Sequence, residues 1–484
     1  MNAQLTLAAM LPEHLLLAGL VLVLIVEIMG RGTRAALLVA IVAVAAATVV
    51  AGSMFASAFS GAPFPGQFSV TPSTSLAKAI VLALTIPVLL MSRDEFAGGE
   101  FSALLLSSLY GVCLLISADS FLTMFLGLEL MSLPVYALIV LAFRRPVSAE
   151  AALKYLVLGG SATAMFLMGV SLLFGVSGSM DINAFATALS ASDLMSRAAV
   201  VLILLAFFLK AAVVPFHAWA PDAYEGASVP VTAYMAAIVK GGVLLAIVRL
   251  FAAAPVVSPI ADLLAVFPLI SIVWGNLTAM RQLSFRRMIA YSSIAHAGYL
   301  FYALLGDGPG RFQAVTFYVL AYGLLNVLAF AALPAHPDDR ERDRLENLKG
   351  LYHRDPFAAL VIGVAMLSLA GIPPFPGFAA KFLIFRNVLA AGYTTYAVIG
   401  LVGSYLGIYF YLRVIQFMFM SADAHATQPH VASVAHGEAL PVSTRVATAR
   451  PAATGAVFAR SAALLCLAAS ILLSVFPGWV LARV

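Results

Sequence analysis

The sequence predicts an all-α polytopic membrane protein with about fourteen spanning helices. Three observations predict it. Of the 484 residues, 63% are hydrophobic and only 10% are charged, whereas a soluble domain carries about 25% charge. Apolar runs long enough to cross a bilayer recur along the whole chain, too often for a single globular core. Two of these runs are broken by proline and glycine beside a lysine, as in the interrupted helices of transporters.

The spans fall in order at 14–29, 35–51, 78–92, 103–118, 121–143, 150–175, 197–216, 230–252, 258–277, 286–305, 312–334, 356–388, 395–420 and 458–481. The first 13 residues hold no Lys or Arg. No small-residue cleavage site follows the first apolar run, which is therefore a retained helix and not a signal peptide. Several runs are shorter than the roughly 20 residues a bilayer requires, so their ends extend into the flanks. The fifth run, "FLTMFLGLELMSLPVYALIVLAF", encloses Glu129. The seventh carries Lys210 ahead of Pro215, and the eighth, "VTAYMAAIVKGGVLLAIVRL", carries Lys240. The twelfth is too long for one pass and contains "GIPPFPG". It reads as two half-helices around Pro373, Pro374 and Gly377, with Lys381 just beyond.

Residues 1–100 thus form three N-terminal helices, 101–252 helices four to eight, and 258–420 helices nine to thirteen. A hydrophilic linker (421–455) and a last helix (456–484) follow. The broken spans stand five apart, which makes helices four to eight and nine to thirteen an internal repeat. The loops after odd-numbered spans hold fifteen Lys and Arg against four on the other side. That asymmetry places the odd loops in the cytoplasm and both termini on the periplasmic face.

Composition also excludes functions. The formal charge of +5 is scattered over short loops, so nucleic-acid binding is not indicated. The two cysteines, Cys113 and Cys466, cannot supply the about four ligands of an iron–sulfur cluster and read as packed thiols. "GDGPG" (306–310) lacks the Lys-Ser/Thr of a phosphate loop and reads as a turn. The charged stretch 335–350 is a solvated connection or a docking surface. The Ala/Thr/Pro-rich stretch 421–455 reads as a linker despite its histidines. Trp219 and Trp479 read as interface anchors.

The informative residues are the charges in the wrong solvent. Glu129, Lys210, Lys240 and Lys381 each cost about 2.5–3.5 kcal/mol near a helix centre. Leucine would fit at no such cost. Neutralising salt bridges are the structural explanation, but three lysines and one carboxylate do not pair off. A lysine deprived of water releases its proton more readily, which arginine does not do. Non-helical backbone at membrane depth is tolerated only where protein or water covers it, so the breaks at Pro215 and at Pro373 and Pro374 fit a wetted path. His217 and His296 are either proton relays or hydrogen-bonded packing residues. Lys154, one turn after Glu150, is an interface pair ranked below the central lysines.

The stretches "KAAVVPFHAWAPDAYEGASVPVTAY", "VKGGVLLAIVRL", "FRRMIAYSSIAHAGY" and "LAGIPPFPGFAAKF" resemble the subunit N family of bacterial proton-pumping NADH:quinone oxidoreductase, respiratory complex I. The mitochondrial counterpart is chain 2. The resemblance runs from about residue 100 to 420, and "VPFHxWxPDxYxGA" is its most specific piece. It implies fourteen helices with two inverted five-helix repeats in the bacterial inner membrane. It further implies that Glu129 and Lys210 form an acid–base pair, that Lys240 links it onward and that Lys381 guards the opposite exit. His296 and Lys154 match usually polar positions. FMN, iron–sulfur clusters, NADH and quinone are implied only in partner subunits, with none in this chain. The implied partners are the antiporter-like subunit M, neighbouring small membrane subunits and lipids. The chain departs from the pattern at Ser228, commonly proline, at "PPFPG", and in the length of 421–455. The expected function is proton translocation driven by redox chemistry elsewhere. A subunit of a multi-subunit cation/proton antiporter, or a structural membrane spacer, remains the alternative.

Overall fold

The computed structural model describes residues 3–93, 95–96, 98–141, 146–251, 260–306, 309–334, 343–420 and 453–478. After a short helix α1 (Ala3–Ala9), the first long helices are α2 (Leu11–Ile28), α3 (Thr33–Ala56), α4 (Pro72–Met91), α5 (Glu100–Ile116), α6 (Phe121–Leu141) and α7 (Pro146–Ser177). A short α8 (Asn183–Ser190) precedes α9 (Leu194–Ala211) and α10 (Trp219–Gly226). Then come α11 (Val229–Leu250), α12 (Ile260–Ala279), α13 (Phe285–Tyr302) and α14 (Pro309–Ala331). The chain closes with α15 (Pro356–Ala370), α16 (Pro376–Ala390), α17 (Thr394–Phe419) and α18 (Ala453–Val475). Among the described residues, 12 helices are long and apolar enough to cross a membrane. Glu100–Ile116 and Pro356–Ala370 are shorter apolar helices at two further expected spans.

The interior is apolar, as in a soluble protein, but so is much of the outer surface. α11 is buried on every side, and α13 and α14 nearly so. The outer helices α2, α3, α7, α17 and α18 instead expose leucines and valines such as Leu22, Val49, Leu153, Val402 and Leu465. Apolar outer faces of this extent suit lipid and not water.

Three features depart from the expected elements. A two-stranded antiparallel hairpin, β1 (Gly61–Phe64) and β2 (Phe68–Val70), joins α3 to α4. Gly66, at a φ of +71°, makes its turn. α4 starts at Pro72, six residues before the expected Lys78, because Thr71 and Thr74 form a reciprocal capping box ahead of it. The first broken span stops earlier than its proline requires. α9 ends at Ala211, Ala212 turns left-handed at a φ of 62°, and Val213 N–H returns to the Phe208 carbonyl at 2.8 Å. α15 ends in the same motif, with Gly371 at a φ of 83° and Ile372 N–H on the Leu367 carbonyl at 3.1 Å. Pro215, Pro373 and Pro374 therefore follow helix ends that their backbones have already closed.

Trp219 is not an interface anchor. It is buried, it stacks on Tyr155 at 4.4 Å, and its indole spans the first break. Trp479, most of the 421–455 stretch, part of 335–350 and part of "GDGPG" lie outside the described residues.

Candidate functional site

Each central lysine stands at or beside an irregularity of its helix. Lys210 is the last residue but one of α9, where the carbonyls of the final turn lack intrahelical partners. A π-helical turn, Met235–Val239, immediately precedes Lys240 within α11. Such turns are common at functional sites. Lys381 lies in α16 and reaches back across the second break to the Ala370 carbonyl at 3.1 Å, the negative end of α15.

Glu129 and Lys210 form an ion pair, Nζ to Oε1 3.5 Å. The lysine side chain is 3% exposed and the carboxylate 23% exposed. Lys210 also donates to Ser132 Oγ at 3.1 Å, and Thr163 donates to Glu129 Oε1 at 2.5 Å. Glu129 therefore has a donor besides the lysine. A cavity of about 10 Å³ opens beside Lys210, between Thr163, Phe125 and Phe207. That is room for about one water.

Lys240 and Lys381 have neutral partners. Lys240 donates to the Ser293 carbonyl at 2.9 Å and to the Ser293 hydroxyl. Ser293 also meets the Tyr224 hydroxyl at 3.2 Å. Lys381 donates to Ser404 Oγ at 3.1 Å and sits 5.2 Å from the Tyr299 ring centroid.

His296, on the same helix as Ser293, lies within electrostatic range of both lysines. Its Nδ1 meets the Tyr318 hydroxyl at 2.7 Å and its Nε2 the Tyr411 hydroxyl at 3.1 Å. Tyr411 in turn meets Ser292 at 2.5 Å. A second cavity of about 10 Å³ touches His296, Tyr318 and Gly377.

The structure thus brings Glu129 to Lys210 and places His296 between Lys240 and Lys381. No hydrogen bond among the described residues joins the first group to the second. Tyr155 lies within electrostatic range of both Glu129 and Tyr224. His217 does not join either group. It lies half-buried in the first break, its Nδ1 buried and without a hydrogen-bond partner.

Lys154 is more than the expected helical pair. It contacts Glu150 at 2.8 Å and Asp222 at 2.7 Å, and Arg287 bridges Asp222 and Glu225 at 2.9 and 2.8 Å. This network closes one end of the first broken span. Pro215 is exposed at the break. Gly377 belongs to the first turn of α16 and not to the break itself. A Cβ there would stand 1.8 Å from the Ser368 carbonyl oxygen. Ser228, extended at a φ of −67°, precedes α11 without a side-chain capping bond, in a conformation that proline also adopts.

Sequence reasoning missed the hydroxyl partners Ser132, Thr163, Ser293, Ser404 and Tyr411, which are ordinary residues in apolar helices. It also missed two further buried ion pairs, Glu13–Lys78 at 2.6 Å and Arg286–Asp343 at 2.9 Å. Glu13 and Lys78 fell at the edges of expected spans, and only the earlier starts of α2 and α4 draw them inside.

With this geometry in view, likeness to known proteins is specific. Residues 118–407 match the family described as NADH:quinone oxidoreductase/Mrp antiporter, TM. The chain is 37% identical over 420 residues to NADH-quinone oxidoreductase subunit N of Pelobacter propionicus, covering 87% of this chain and 90% of that one. It is 39% identical over 376 residues to the subunit N of Chloroflexus aggregans, covering 75% and 77%. A chain of respiratory complex I from Thermus thermophilus superimposes with a TM-score of 0.80 at 32% identity, over 97% of this chain and 98% of that one. A chain of the Mrp complex from Dietzia sp. superimposes at 0.83 but at 22% identity, over 98% and 96%, a likeness of fold. The chain belongs to the NADH-quinone oxidoreductase subunit N family, a branch of the antiporter-like membrane proteins.

Proposed function

We propose that this chain is an antiporter-like membrane subunit of a bacterial proton-translocating NADH:quinone oxidoreductase, and that protons cross it along Glu129, Lys210, Lys240 and Lys381. NADH, FMN, the iron–sulfur clusters and quinone belong to partner subunits in this reading. Subunit M and small membrane subunits are its neighbours in the inner membrane, with both termini periplasmic.

The observation that carries the proposal is the bonding of the lysines. Lys240 and Lys381 are buried against a serine hydroxyl and a backbone carbonyl each. Such an amine can give up a proton without stranding a carboxylate, so it is not locked as an ion pair is. Lys210 is the central acceptor. Glu129 stabilises its charged form, and Thr163 keeps a hydrogen bond on Glu129 when the lysine moves or loses its proton. His296 and its tyrosines lie between the second and third amines and pass the proton laterally. The two small cavities, beside Lys210 and beside His296, leave space next to the row in this closed arrangement.

Affinity purification of the tagged chain from its own membranes tests the assembly. A flavin- and iron–sulfur-containing NADH-oxidising complex should come with it. Isolation instead with further transporter-like chains only, and with sodium-dependent proton exchange, would establish the autonomous antiporter reading.

A further inference from the structure

The buried pair Glu13–Lys78 lies apart from the row just described. Glu13 is in the first turn of α2 and Lys78 in the second turn of α4, and their side chains are 0% and 1% exposed. Beyond the 2.6 Å contact between Nζ and Oε1, neither carboxylate oxygen nor the ammonium has a hydrogen-bond partner among the described residues. The hairpin roofs the pair. Phe68 of β2 lies with its ring centroid 4.8 Å from Lys78 Nζ. It belongs to a separate apolar cluster with Ala9, Met10, Met54 and Val70.

This is a poor staple. Two ions taken fully out of water, with no auxiliary hydrogen bonds, recover little of their desolvation cost, and a leucine pair would join the helices as firmly. Polar groups on α5 lie on the inner side of the pair. Cys113 on α5 lies within electrostatic range of both Glu13 and Lys78. Earlier on the same helix, Ser108 accepts from the Tyr234 hydroxyl at 3.0 Å and donates to the Met131 carbonyl at 2.8 Å. Met131 adjoins Ser132, the partner of Lys210.

We propose that Glu13 and Lys78 form a second proton-carrying acid–amine pair, housed in the N-terminal helices beneath the hairpin. This inference rests on the proton-translocating reading above. The resting pair is carboxylate with ammonium. Gaining one proton gives carboxylic acid with ammonium, and losing one gives carboxylate with free amine. Hydronium on one side of the pair supplies that proton and water on the other side takes it, so each cycle moves one proton and restores the ion pair.

The test uses the whole complex reconstituted in liposomes, with protons moved per electron as the readout. Lys78→Arg keeps the ion pair and the charge but removes the ability to release a proton. It is expected to assemble and to lower the protons moved per electron. Wild-type transport in an assembled Lys78→Arg complex would overturn the proposal. If Lys78→Arg does not assemble, the neutral double variant E13Q/K78M is judged by the same two outcomes. Failure of both to assemble would make the pair a fold element and also overturn it. Lys210→Ala runs in parallel. Its loss of transport beside an unimpaired Lys78→Arg sinks this inference alone, and full transport in both sinks the parent reading.

Discussion

Trp219 Nε1 donates to the carbonyl of Leu209 at 2.8 Å, ten residues back and across the break that ends α9. The indole is a second donor to this carbonyl, which also accepts from Ala212 N–H at 3.2 Å in the turn that closes the helix, one residue before Lys210. Tyr155 holds the ring from one face, and Tyr136 meets Tyr155 edge-on at 4.8 Å. The position of the central lysine therefore depends on an aromatic clasp as well as on Glu129.

Replacing Trp219 with Phe keeps most of the stacking and removes the donor. The Leu209 carbonyl keeps its bond from Ala212 N–H, so the loss is that of one hydrogen bond, about 0.5–1.5 kcal/mol. Assembled Trp219→Phe complex should lose thermal stability and turn over more slowly, with Lys210 less well placed. Thermal inactivation of the purified complex measures it, and an unchanged profile would remove the clasp from this account.

Gly377→Ala should be among the most disruptive small changes. The new methyl would meet the backbone oxygen of Ser368, which cannot move without separating α15 from α16. Overpacking of this kind costs about 1–3 kcal/mol or more, and it displaces the helix that carries Lys381. Gly363→Ala on α15, with open space around it, is the control and should be neutral. Native gels of assembled complex decide between them.

Glu129→Ala should lower proton-coupled turnover more than Lys154→Ala. Glu129 touches Lys210 inside the bundle, whereas Lys154 is 44% exposed and shares its two carboxylates with solvent. We expect about ten-fold for the first, or about 1.4 kcal/mol, and little for the second. Equal losses would mean that the interface network and not the buried pair sets the rate.

Asp222 links folding to pH at the membrane surface. Burial works against its charged form, but hydrogen bonds from Lys154 and Arg287 outweigh that and hold its carboxyl below the ordinary value. A lowered value means that its contribution is present above the unfolded pKa of about 3.9 and fades as pH falls through the folded one. Thermal midpoints of the wild type should therefore decline in acid more steeply than those of Asp222→Asn. Parallel declines would show that the network adds nothing.

The four central charges were legible because each contradicts its surroundings: a lysine or glutamate in an apolar run is visible without any structure. The breaks were legible too, but their mechanism was not. Ala212 closes α9 before Pro215 is reached, and nothing in an alanine announces a left-handed turn. The π-helical turn before Lys240 has no side-chain signature. Ser293 and Tyr411 became partners of the row only through packing between distant helices, since serine and tyrosine are unexceptional in a membrane. Glu13 and Lys78 were hidden by span edges set from hydropathy. The Thr71 capping box starts α4 well before its apolar run and carries Lys78 inward.

The most direct measurement is the number of protons moved per electron by the whole complex in liposomes when Lys210 is replaced by alanine. The complex should assemble and the ratio should fall, because the acceptor between Glu129 and the rest of the row is gone. A normally assembled Lys210→Ala complex that pumps at the full ratio would contradict it and leave the chain a spacer.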